Sequence, residues 1–446
     1  MLFRFREGQI AVSGDIDGMF LQVRVPQAQR DYLRFLWWPD GNTSIEPKIY
    51  RMCCHLFGAT SSPAVASFAL QHAADQNEGK YSERAVQTIK NDFYVDDCLM
   101  SVDSVEQAQN LVKEVTEICT DGGFNIEKFV SNNRDVLNSI PENKRAKSLQ
   151  QIDLTSTELP ADRTLGMIWN VENDCFEFNV QLQDKPVTHR GILSVRSTVF
   201  DPLGFLSPFI LPAKQITQEA CRLKLGWDDD LPEELQQRWR EWKDEAPELS
   251  KFKIDRWQSM PGEPVKRELH HFCDASTTGY GTVSYLTEKH EDGRINVALL
   301  YSKSRVAPLK KITIPRLELS AAKEAVKANN TLEQALTTRF DDVHYWTDST
   351  IVLKYINNMD KRFKTYVANR VEYIHSGSKP EQWHHIEGKQ NPADHASRGL
   401  HVHENSKIKT WFNGPEFLQT NLTFDSVVDT ELPDDDTELK RNKCVL

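Results

Sequence analysis

The adjacent aspartates Asp96 and Asp97 lie between two short apolar stretches in the sequence FYVDDCLM. The flanking residues predict two short strands joined by a tight turn that carries the pair. Neighbouring carboxylates on a rigid hairpin repel each other unless a cation lies between them, and such oxygen ligands suit Mg²⁺ or Mn²⁺. One hairpin does not surround two ions, so a further strand must contribute. Asp15 in GDIDGMFLQVRVP is the candidate, and Asp17, on the same strand face, is its competitor.

A second set of carboxylates lies in the C-terminal half of the chain. Asp274 belongs to a strand in HHFCDASTTGYGTVSYL, and Asp348 ends the strand of VHYWTDST. Glu318 falls in the first turn of a helix that begins at Pro315, and Asp394 follows a loop in QNPADHASRG. Four carboxylates at strand ends or helix starts, on separate elements, suit a site for two hard cations on a phosphodiester.

Composition limits the classes of function. The 446 residues correspond to roughly two to four domains. The net charge of −11 argues against a protein that simply coats nucleic acid, but it does not exclude an acidic site that holds metal ions. Eight cysteines show no CxxC or zinc spacing, and the sequence has neither a signal-peptide core nor a membrane-spanning apolar run. We therefore expect an intracellular protein, cytoplasmic or nuclear, without a membrane partner.

The pattern of elements predicts a multidomain protein of mixed α+β and α/β class. Residues 1–170 alternate short strands and helices, and residues 171–263 are rich in Trp, Leu and charge. Residues 264–400 read as three strands followed by alternating helices and strands, which is typical of an α/β domain. Residues 401–446 are polar and acidic, and we expect a loose tail there.

The order of motifs resembles the palm of a retroelement reverse transcriptase. The matching stretches are DIDGMFLQVRV, LFGATSSPA, YVDD, GGFNIEKF and TLGMIWN. The segments LRFLWW and RSTVFDPLGFLSPFILPAKQI are most similar to the BEL/Pao group of LTR retrotransposons, and the second carboxylate set resembles a retroelement ribonuclease H. The resemblance implies a palm with truncated fingers over 1–170, a thumb/connection-like Pao-type region over 171–263 and a ribonuclease H-like α/β domain over 264–400.

The resemblance assigns roles in the palm. Asp15 and Asp96 would hold two Mg²⁺ or Mn²⁺ ions and Asp97 would support them, and Asp15 is favoured over Asp17 by its spacing to Phe20. The metals would activate the primer 3′-hydroxyl and stabilise the leaving pyrophosphate.

Two further palm residues would contact the nucleotide. Phe20 would exclude a ribose 2′-hydroxyl, and Lys128 would lie near the nucleotide phosphates. Only 14 residues precede Asp15, with Arg4 and Arg6 as the sole bases among them. Because the family's fingers strands normally lie in that region, the expectation is an impaired polymerase.

In the ribonuclease H-like domain, the resemblance makes Asp274, Glu318, Asp348 and Asp394 the ligands of two Mg²⁺ or Mn²⁺ ions. Attack by an activated water would cut the RNA strand of an RNA–DNA hybrid, and the A-form shape with its 2′-hydroxyls would give RNA specificity. Many members carry an assisting histidine before the last aspartate. Which histidine would take this part stays open, among His384, His385 and His395.

The middle block carries five bases that we expect to touch nucleic-acid backbone, namely Arg190, Arg196, Lys214, Arg222 and Lys224. Peptidase chemistry is disfavoured, because an aspartic peptidase needs an Asp-Thr/Ser-Gly turn and the sequence contains none. Asp201 precedes a proline and is predicted to form a turn.

Three functions follow in order of preference. The first is an RNA-directed DNA polymerase joined to a hybrid-specific ribonuclease, with RNA template, DNA primer, RNA–DNA hybrid and deoxynucleoside triphosphates as partners. The second is a non-catalytic nucleic-acid-binding remnant of a retroelement. The third is an aspartic peptidase. The oligomeric state is left open.

Overall fold

The computed structural model describes residues 1–150, 154, 158–420 and 431–440. The chain forms two compact units, one of residues 1–165 and 169–175 and the other of residues 166–168 and 176–446. Several sheets and many helices confirm the predicted mixed α+β multidomain class. Parts of the predicted palm and tail, at 151–153, 155–157, 421–430 and 441–446, lie outside the described residues.

The first unit contains six strands and five helices before residue 140. The strands are β1 Ile10–Ile16, β2 Arg34–Trp37, β3 Lys48–Arg51, β4 Phe93–Tyr94, β5 Asp97–Val102 and β6 Ile126–Ser131. The helices are α1 Met19–Gln22, α2 Ser62–Gln76, α3 Glu83–Asn91, α4 Val105–Asp121 and α5 Arg134–Ser139.

Four of these strands form one sheet in the order β4-β5-β1-β6, with β1 antiparallel to both β5 and β6. Helix α4 packs its apolar face, with Leu111, Val115 and Ile118 at helical spacing, into the same buried core as β1 and β5. Its first turn is capped because Ser104 Oγ accepts the Gln107 N–H at 3.3 Å. The helix ends at Asp121, and Gly122 is its C-cap. The packing of α4 against β1 and β5 fixes the position of these central strands.

Strands β2 and β3 form a separate antiparallel hairpin in register Arg34↔Arg51. All eight strand residues are exposed. The hairpin adds nothing to the buried core, and its Phe35 and Tyr50 rings stack at 5.9 Å between centroids.

The rest of the described chain contains the following strands and α-helices. The strands are β7 Asp162–Thr164, β8 Met167–Asn170, β9 Cys175–Glu177, β10 Lys253–Asp255, β11 Lys266–Ala275, β12 Gly279–Lys289, β13 Ile295–Val306, β14 Asp342–Thr347 and β15 Trp383–His385. The helices are α6 His189–Arg196, α7 Ser207–Arg222, α8 Glu233–Glu245, α9 Ile314–Ala335, α10 Thr350–Asn357, α11 Thr365–Gly377, α12 Ala393–Arg398 and α13 Asn405–Asn413.

Strands β11 to β15 form a five-stranded sheet in the order β13-β12-β11-β14-β15. The first three strands pair antiparallel, whereas β14 runs parallel to β11 and β15 runs parallel to β14. Helix α9 packs against β11 and β12 through a small-residue face that includes Ala321, Ala322 and Ala325, all fully buried. This is the strand and helix order that the sequence predicts for residues 264–400.

The middle block packs onto the edge strand of this sheet. Ser207 Oγ, at the start of α7, lies 2.6 Å from Ser302 Oγ on β13, and the Ser302 N–H donates to the Leu203 carbonyl at 3.0 Å. Gly204 has φ +78°, and a Cβ there would overlap the Ser302 carbonyl oxygen. Asp201 forms the expected turn, because its Oδ2 accepts the Leu206 N–H at 2.8 Å. Burial raises the pKa of Asp201 to about 6.

The bases of the middle block have varied surroundings. Arg190 is ion-paired with Asp228 at 2.7 Å, and Arg222 is ion-paired with Glu219. Desolvation lowers the pKa of Arg196, and it also lowers the pKa of Lys214, whose ammonium donates to the Ser304 carbonyl at 3.1 Å. Lys224 is exposed.

The predicted loose tail is partly packed. Trp411 on α13 is fully buried, and its indole N–H donates to the Phe205 carbonyl at 2.8 Å. The Tyr285 hydroxyl on β12 donates to the Trp411 carbonyl at 2.6 Å. The expectation of a loose tail is therefore wrong for α13, because one large aromatic side chain supplies enough buried area to hold a polar segment. Within the described residues, no helix is long and apolar enough to cross a membrane.

Replacing Trp411 by Ala is expected to destabilise the second unit by about 3–5 kcal/mol, because the change leaves a cavity and removes the hydrogen bond from the indole to the Phe205 carbonyl. Thermal and denaturant unfolding of the full chain measure the effect. Lys409→Ala, an exposed change on the same helix, is the control and should stay within about 0.5 kcal/mol of the parent. Equal stability of the two variants would show that α13 is not part of the folded core.

Candidate active sites in the two units

A tight hairpin presents the aspartate pair of the first unit. Strands β4 and β5 pair through Phe93↔Cys98 and Tyr94↔Asp97, which leaves a two-residue loop of Val95 and Asp96. Val95 has φ +57°, an unusual conformation for a β-branched residue. Backbone strain of this kind persists only where the surrounding structure enforces it and is common at functional sites. The sheet therefore holds Asp96 in one defined position.

The register of the sheet brings the predicted palm carboxylates together. Asp15 on β1 lies directly opposite Asp97 on β5, and the Ile16 N–H donates to the Asp96 carbonyl at 2.9 Å. The pKa of Asp97 is raised to about 6 by burial and then by the charges of Asp96 and Asp15. Asp17 is exposed. The arrangement thus favours Asp15 over Asp17 as the partner of the hairpin.

A further carboxylate, Asp162, joins this group and was missed by the sequence reasoning. The Ser13 hydroxyl donates to Asp162 Oδ2 at 3.1 Å, and the Asp162 charge also raises the pKa of Asp97. Asp162 lies two residues before the TLGMIWN stretch, and no local pattern of residues marked it as part of the site.

Of the two predicted nucleotide contacts, Lys128 lies beside a palm carboxylate and Phe20 packs against an aromatic ring. The Lys128 ammonium is 2.8 Å from Asp15 Oδ1, and this contact raises the pKa of Lys128. Phe20 lies edge-to-face with Phe57, their ring centroids 4.9 Å apart. Phe57 precedes α2 in the second motif and was not singled out from the sequence.

The bases before Asp15 are engaged within the first unit. Arg4 Nε lies 2.6 Å from a carboxylate oxygen of the buried Asp92, and Arg6 is itself buried. These side chains contribute to the fold of this unit.

In the second unit, adjacent parallel strands place two carboxylates side by side. Cys273 on β11 pairs with Thr347 on β14, so the next residues, Asp274 near the end of β11 and Asp348 directly after β14, lie side by side at the same edge of the sheet. Helix α9 supplies Glu318, its fifth residue, and α12, which contacts β11 and β12, supplies Asp394. All four predicted carboxylates therefore converge on one edge of the sheet.

The charges of these groups act on one another. The pKa of Asp274 is raised to about 6 by burial and then by the charges of Asp348 and Asp394. Burial and the charge of Glu318 raise the pKa of Asp348, and burial and the charge of Asp274 raise the pKa of Glu318. Such clustered, mutually repelling acids are typical of sites that hold a cation.

Neighbouring hydroxyls and a base orient three of the carboxylates. The Ser397 hydroxyl donates to Asp274, the Ser349 hydroxyl donates to Glu318, and the Arg398 guanidinium donates to Asp394. The sequence did not identify these donors. Ser349 follows Asp348 in the chain but donates to Glu318, and Ser397 and Arg398 occupy ordinary positions in a helix.

Asp348 retains an unsatisfied oxygen. Its Oδ1 is buried without a hydrogen-bond partner in the described part of the chain. Its Oδ2 lies 2.9 Å from the position that a Cβ on Gly388 would take, so only glycine fits there without displacement. A buried carboxylate oxygen that lacks a donor, among other carboxylates, fits a hard divalent cation.

The candidate histidines differ in their surroundings. His384 Nε2 lies 3.0 Å from His344 Nδ1, and burial followed by the His344 charge lowers the pKa of His384 to about 4. His384 therefore belongs to a packed aromatic group with Trp346. His395 follows Asp394 on α12, and burial lowers its pKa. His385 pairs with Thr347 across β14 and β15.

A third acidic group, at Glu268, Asp342 and His344, also has ligand atoms close together. The Lys266 ammonium bridges Glu268 and Asp342 at 2.7 and 2.8 Å, and Lys289 lies 2.9 Å from Glu268. Lysine charges thus take the place that a cation would occupy, and the group is an ion-pair network on the sheet.

Known proteins agree with this geometry. Residues 188–349 match the family model described as a Pao retrotransposon-like RNaseH-like domain. The foamy viral protease-reverse transcriptase in complex with RNA/DNA hybrid is similar in fold, with a TM-score of 0.50, 14% identity and coverage of 87% of this chain and 45% of that one. Its dRH form in complex with ds DNA gives a TM-score of 0.53 at 13% identity, covering 87% and 58% of the two chains. None of the curated proteins matches the chain.

The fold is that of a reverse transcriptase joined to a ribonuclease H-like domain. Over residues 188–349, the family match also supports the more specific resemblance to a Pao-type domain of a retrotransposon. The chain spans about half the length of the solved structures that it matches. The matched range begins in the middle block, which is consistent with the packing of α7 on β13.

The raised pKa of Asp274 predicts how the stability of the protein depends on pH. Because the pKa of Asp274 is raised to about 6 in the fold, its proton favours the folded state, and this contribution is lost as the pH rises through about 6. Without metal, Asp274→Asn should therefore stabilise the protein near neutral pH by roughly 2 kcal/mol, and the gain should vanish on acidification below the usual aspartate pKa.

Thermal unfolding in EDTA across a pH series measures this gain, with the exposed Asp292→Asn as control. Added Mg²⁺ should stabilise the parent more than Asp274→Asn, because a ligand that binds only the folded state adds to its stability. Destabilisation by Asp274→Asn near neutral pH in EDTA would contradict the repulsion argument.

Proposed function

We propose that the second unit is a metal-dependent ribonuclease that cuts the RNA strand of RNA–DNA hybrids. The observation that carries this proposal is the convergence of Asp274, Glu318 and Asp348, each with a pKa raised by burial and by its neighbours, around the unsatisfied Asp348 oxygen. Repulsion between buried carboxylates opposes folding. A fold that nevertheless holds these carboxylates together supports a role in which they bind cations.

The proposed ligands are Asp274, Glu318, Asp348 and Asp394. Two Mg²⁺ or Mn²⁺ ions bound there would supply Lewis-acid activation of a water and stabilisation of the leaving oxygen. The hydroxyls of Ser397 and Ser349 hold their carboxylates in orientation, and the absence of a side chain at Gly388 leaves room beside Asp348.

The proposed substrate is an RNA–DNA hybrid. A single strand lacks the A-form shape that such domains recognise, and the 2′-hydroxyls mark which strand is RNA. The foamy viral relative is described in complex with an RNA/DNA hybrid, which supports the same class of ligand here.

Cleavage of a labelled RNA–DNA hybrid by the full chain, with Mg²⁺ or Mn²⁺ at low salt, tests the proposal. Asp348→Asn should lower the rate at least about 100-fold while the fold persists, since it removes a preorganised charge. The control, Asp292→Asn, is exposed in the turn between β12 and β13 and should cleave normally. An uncut hybrid with a folded parent would favour the non-catalytic nucleic-acid-binding alternative.

For the first unit, we propose an RNA-directed DNA polymerase palm in which Asp15 and Asp96 are the metal ligands and Asp97 supports them. The carrying observation is the β1–β5 register, which sets Asp15 opposite Asp97 beside the strained turn of Val95. Lys128 at 2.8 Å from Asp15 would be displaced toward nucleotide phosphates when cations bind, and Phe20 would act as the sugar gate.

Primer extension on an RNA template with deoxynucleotides and Mg²⁺ tests the palm. We expect slow extension, because Arg4 and Arg6 are engaged within the unit and are not available to grip a triphosphate. Asp96→Asn should abolish what remains, whereas Asp17→Asn should retain it. Rapid extension that Asp96→Asn abolishes would contradict the expected weakness. Loss in Asp17→Asn alone would overturn the choice of Asp15.

A further inference from the structure

The acidic segment Glu431–Lys440 packs against the second unit. Its sequence, ELPDDDTELK, has five acidic residues and one basic residue. We call it the acidic strap. The N–H of Lys364, at the start of α11, donates to the Glu438 carbonyl at 2.8 Å, and the N–H of Lys440 donates to the Arg362 carbonyl at 2.8 Å. The strap thus pairs along the loop between α10 and α11.

Ion pairs fix the acidic side chains of the strap. Arg316 donates from Nε and from one terminal nitrogen to the two carboxylate oxygens of Glu438, both at 2.8 Å. The Lys361 ammonium lies 2.7 Å from Asp434 Oδ1. The two-pronged geometry of Arg316 is the one that guanidinium groups also use for phosphates.

Apolar contacts hold the strap independently of its charges. Leu432 is buried in the core formed by α9, α10 and α11, and Leu439 packs partly against the same core and pairs with Phe363. Neutralising the carboxylates therefore leaves two apolar anchors in place.

The strap lies on a group of positive side chains that we call the cationic face, made by Arg316, Lys361, Lys364 and Arg370. The guanidinium carbons of Arg370 and Arg316 lie 3.4 and 4.9 Å from the ring centroid of Tyr366, so α9 and α11 present these charges together. Two of the four, Arg316 and Lys361, have strap carboxylates as ion-pair partners.

The cationic face and the proposed nuclease site share the N-terminal part of helix α9, where Arg316 is two residues before Glu318. Residues two apart on a helix point to different sides, so Arg316 would meet a part of the hybrid away from the phosphate at Glu318. Phosphates along one strand are separated by about 3.4 Å of helix axis, so a bound hybrid has further phosphates to offer there. Positive charge at this position suits a polyanion that runs through the site.

We propose that the cationic face binds the backbone of the RNA–DNA hybrid and that the acidic strap occupies this face when the hybrid is absent. The inference rests on the proposed nuclease function, since it concerns the substrate of the same site. Carboxylates of the strap take the positions of phosphates, and covalent attachment gives them a high effective concentration. A hybrid displaces them because its many phosphates also release condensed counterions.

Binding of labelled RNA–DNA hybrid to the full chain in EDTA, followed by fluorescence anisotropy, tests the proposal without cleavage. A neutral-strap variant combines Asp434→Asn, Asp436→Asn and Glu438→Gln. It should bind hybrid more tightly, on the order of tenfold, because strap carboxylates no longer compete with the phosphates for the cationic face.

The matched control carries the same charge change at exposed positions outside the strap, through Asp184→Asn, Asp230→Asn and Glu233→Gln. It should gain much less affinity. Equal gains in the two triple variants would overturn the proposal, since net charge alone would then explain the effect.

A neutral-face variant, Arg316→Gln with Lys361→Gln, tests the surface itself. It should weaken hybrid binding and reduce the slope of log K against log salt by about 2, roughly one for each lost phosphate contact. A strap with a purely structural role predicts a lower unfolding temperature in both variants and unchanged hybrid affinity, and that result would overturn the proposal.

Cleavage assays separate this inference from the proposed function. Absence of cleavage in every variant, together with tighter binding by the neutral-strap variant, would reject the nuclease and retain the binding surface. Normal cleavage with identical hybrid affinity in the neutral-strap variant and the parent would retain the nuclease and reject the strap.

Discussion

Repulsion between carboxylates held at the ends of adjacent strands is the constraint on which the second unit depends. Asp274 near the end of β11 and Asp348 directly after its parallel neighbour β14 lie at the same edge, and Glu318 reaches them from α9. A fold accepts such repulsion only if packing elsewhere is strong enough to hold the backbone fixed. The long, small-residue face of α9 against β11 and β12 provides this packing.

The first unit holds its repelling carboxylates together with a different arrangement of strands and donors. There the carboxylates come from antiparallel strands, with Asp15 and Asp97 in direct register and Asp96 on a strained turn. Lys128 neutralises part of the charge at Asp15, whereas the acids of the second unit are held by serine hydroxyls and the guanidinium of Arg398. Each unit thus supports its own acidic centre with local donors.

The distribution of charge would reconcile an acidic chain with the polyanionic substrate that we propose. The net charge of −11 is spread over the whole sequence, but binding depends on the charges that face the ligand. The cationic face around Tyr366 concentrates positive side chains near Glu318, and the acidic strap compensates part of it. A substrate with regularly spaced phosphates competes well for such a surface because it contacts several bases at once.

The sequence by itself predicted the helices and strands and singled out the candidate carboxylates. This was possible because an aspartate at the end of a strand and a glutamate near the start of a helix are local patterns. Its ordered motifs also indicated both candidate active sites. Tertiary structure alone decided which groups support them: Ser397, Ser349 and Asp162 meet their partners across long chain separations. It also decided that Trp411 and the strap pack, since burial of a few apolar side chains in a polar stretch depends on a surface made by distant residues. Local composition does not encode such a surface.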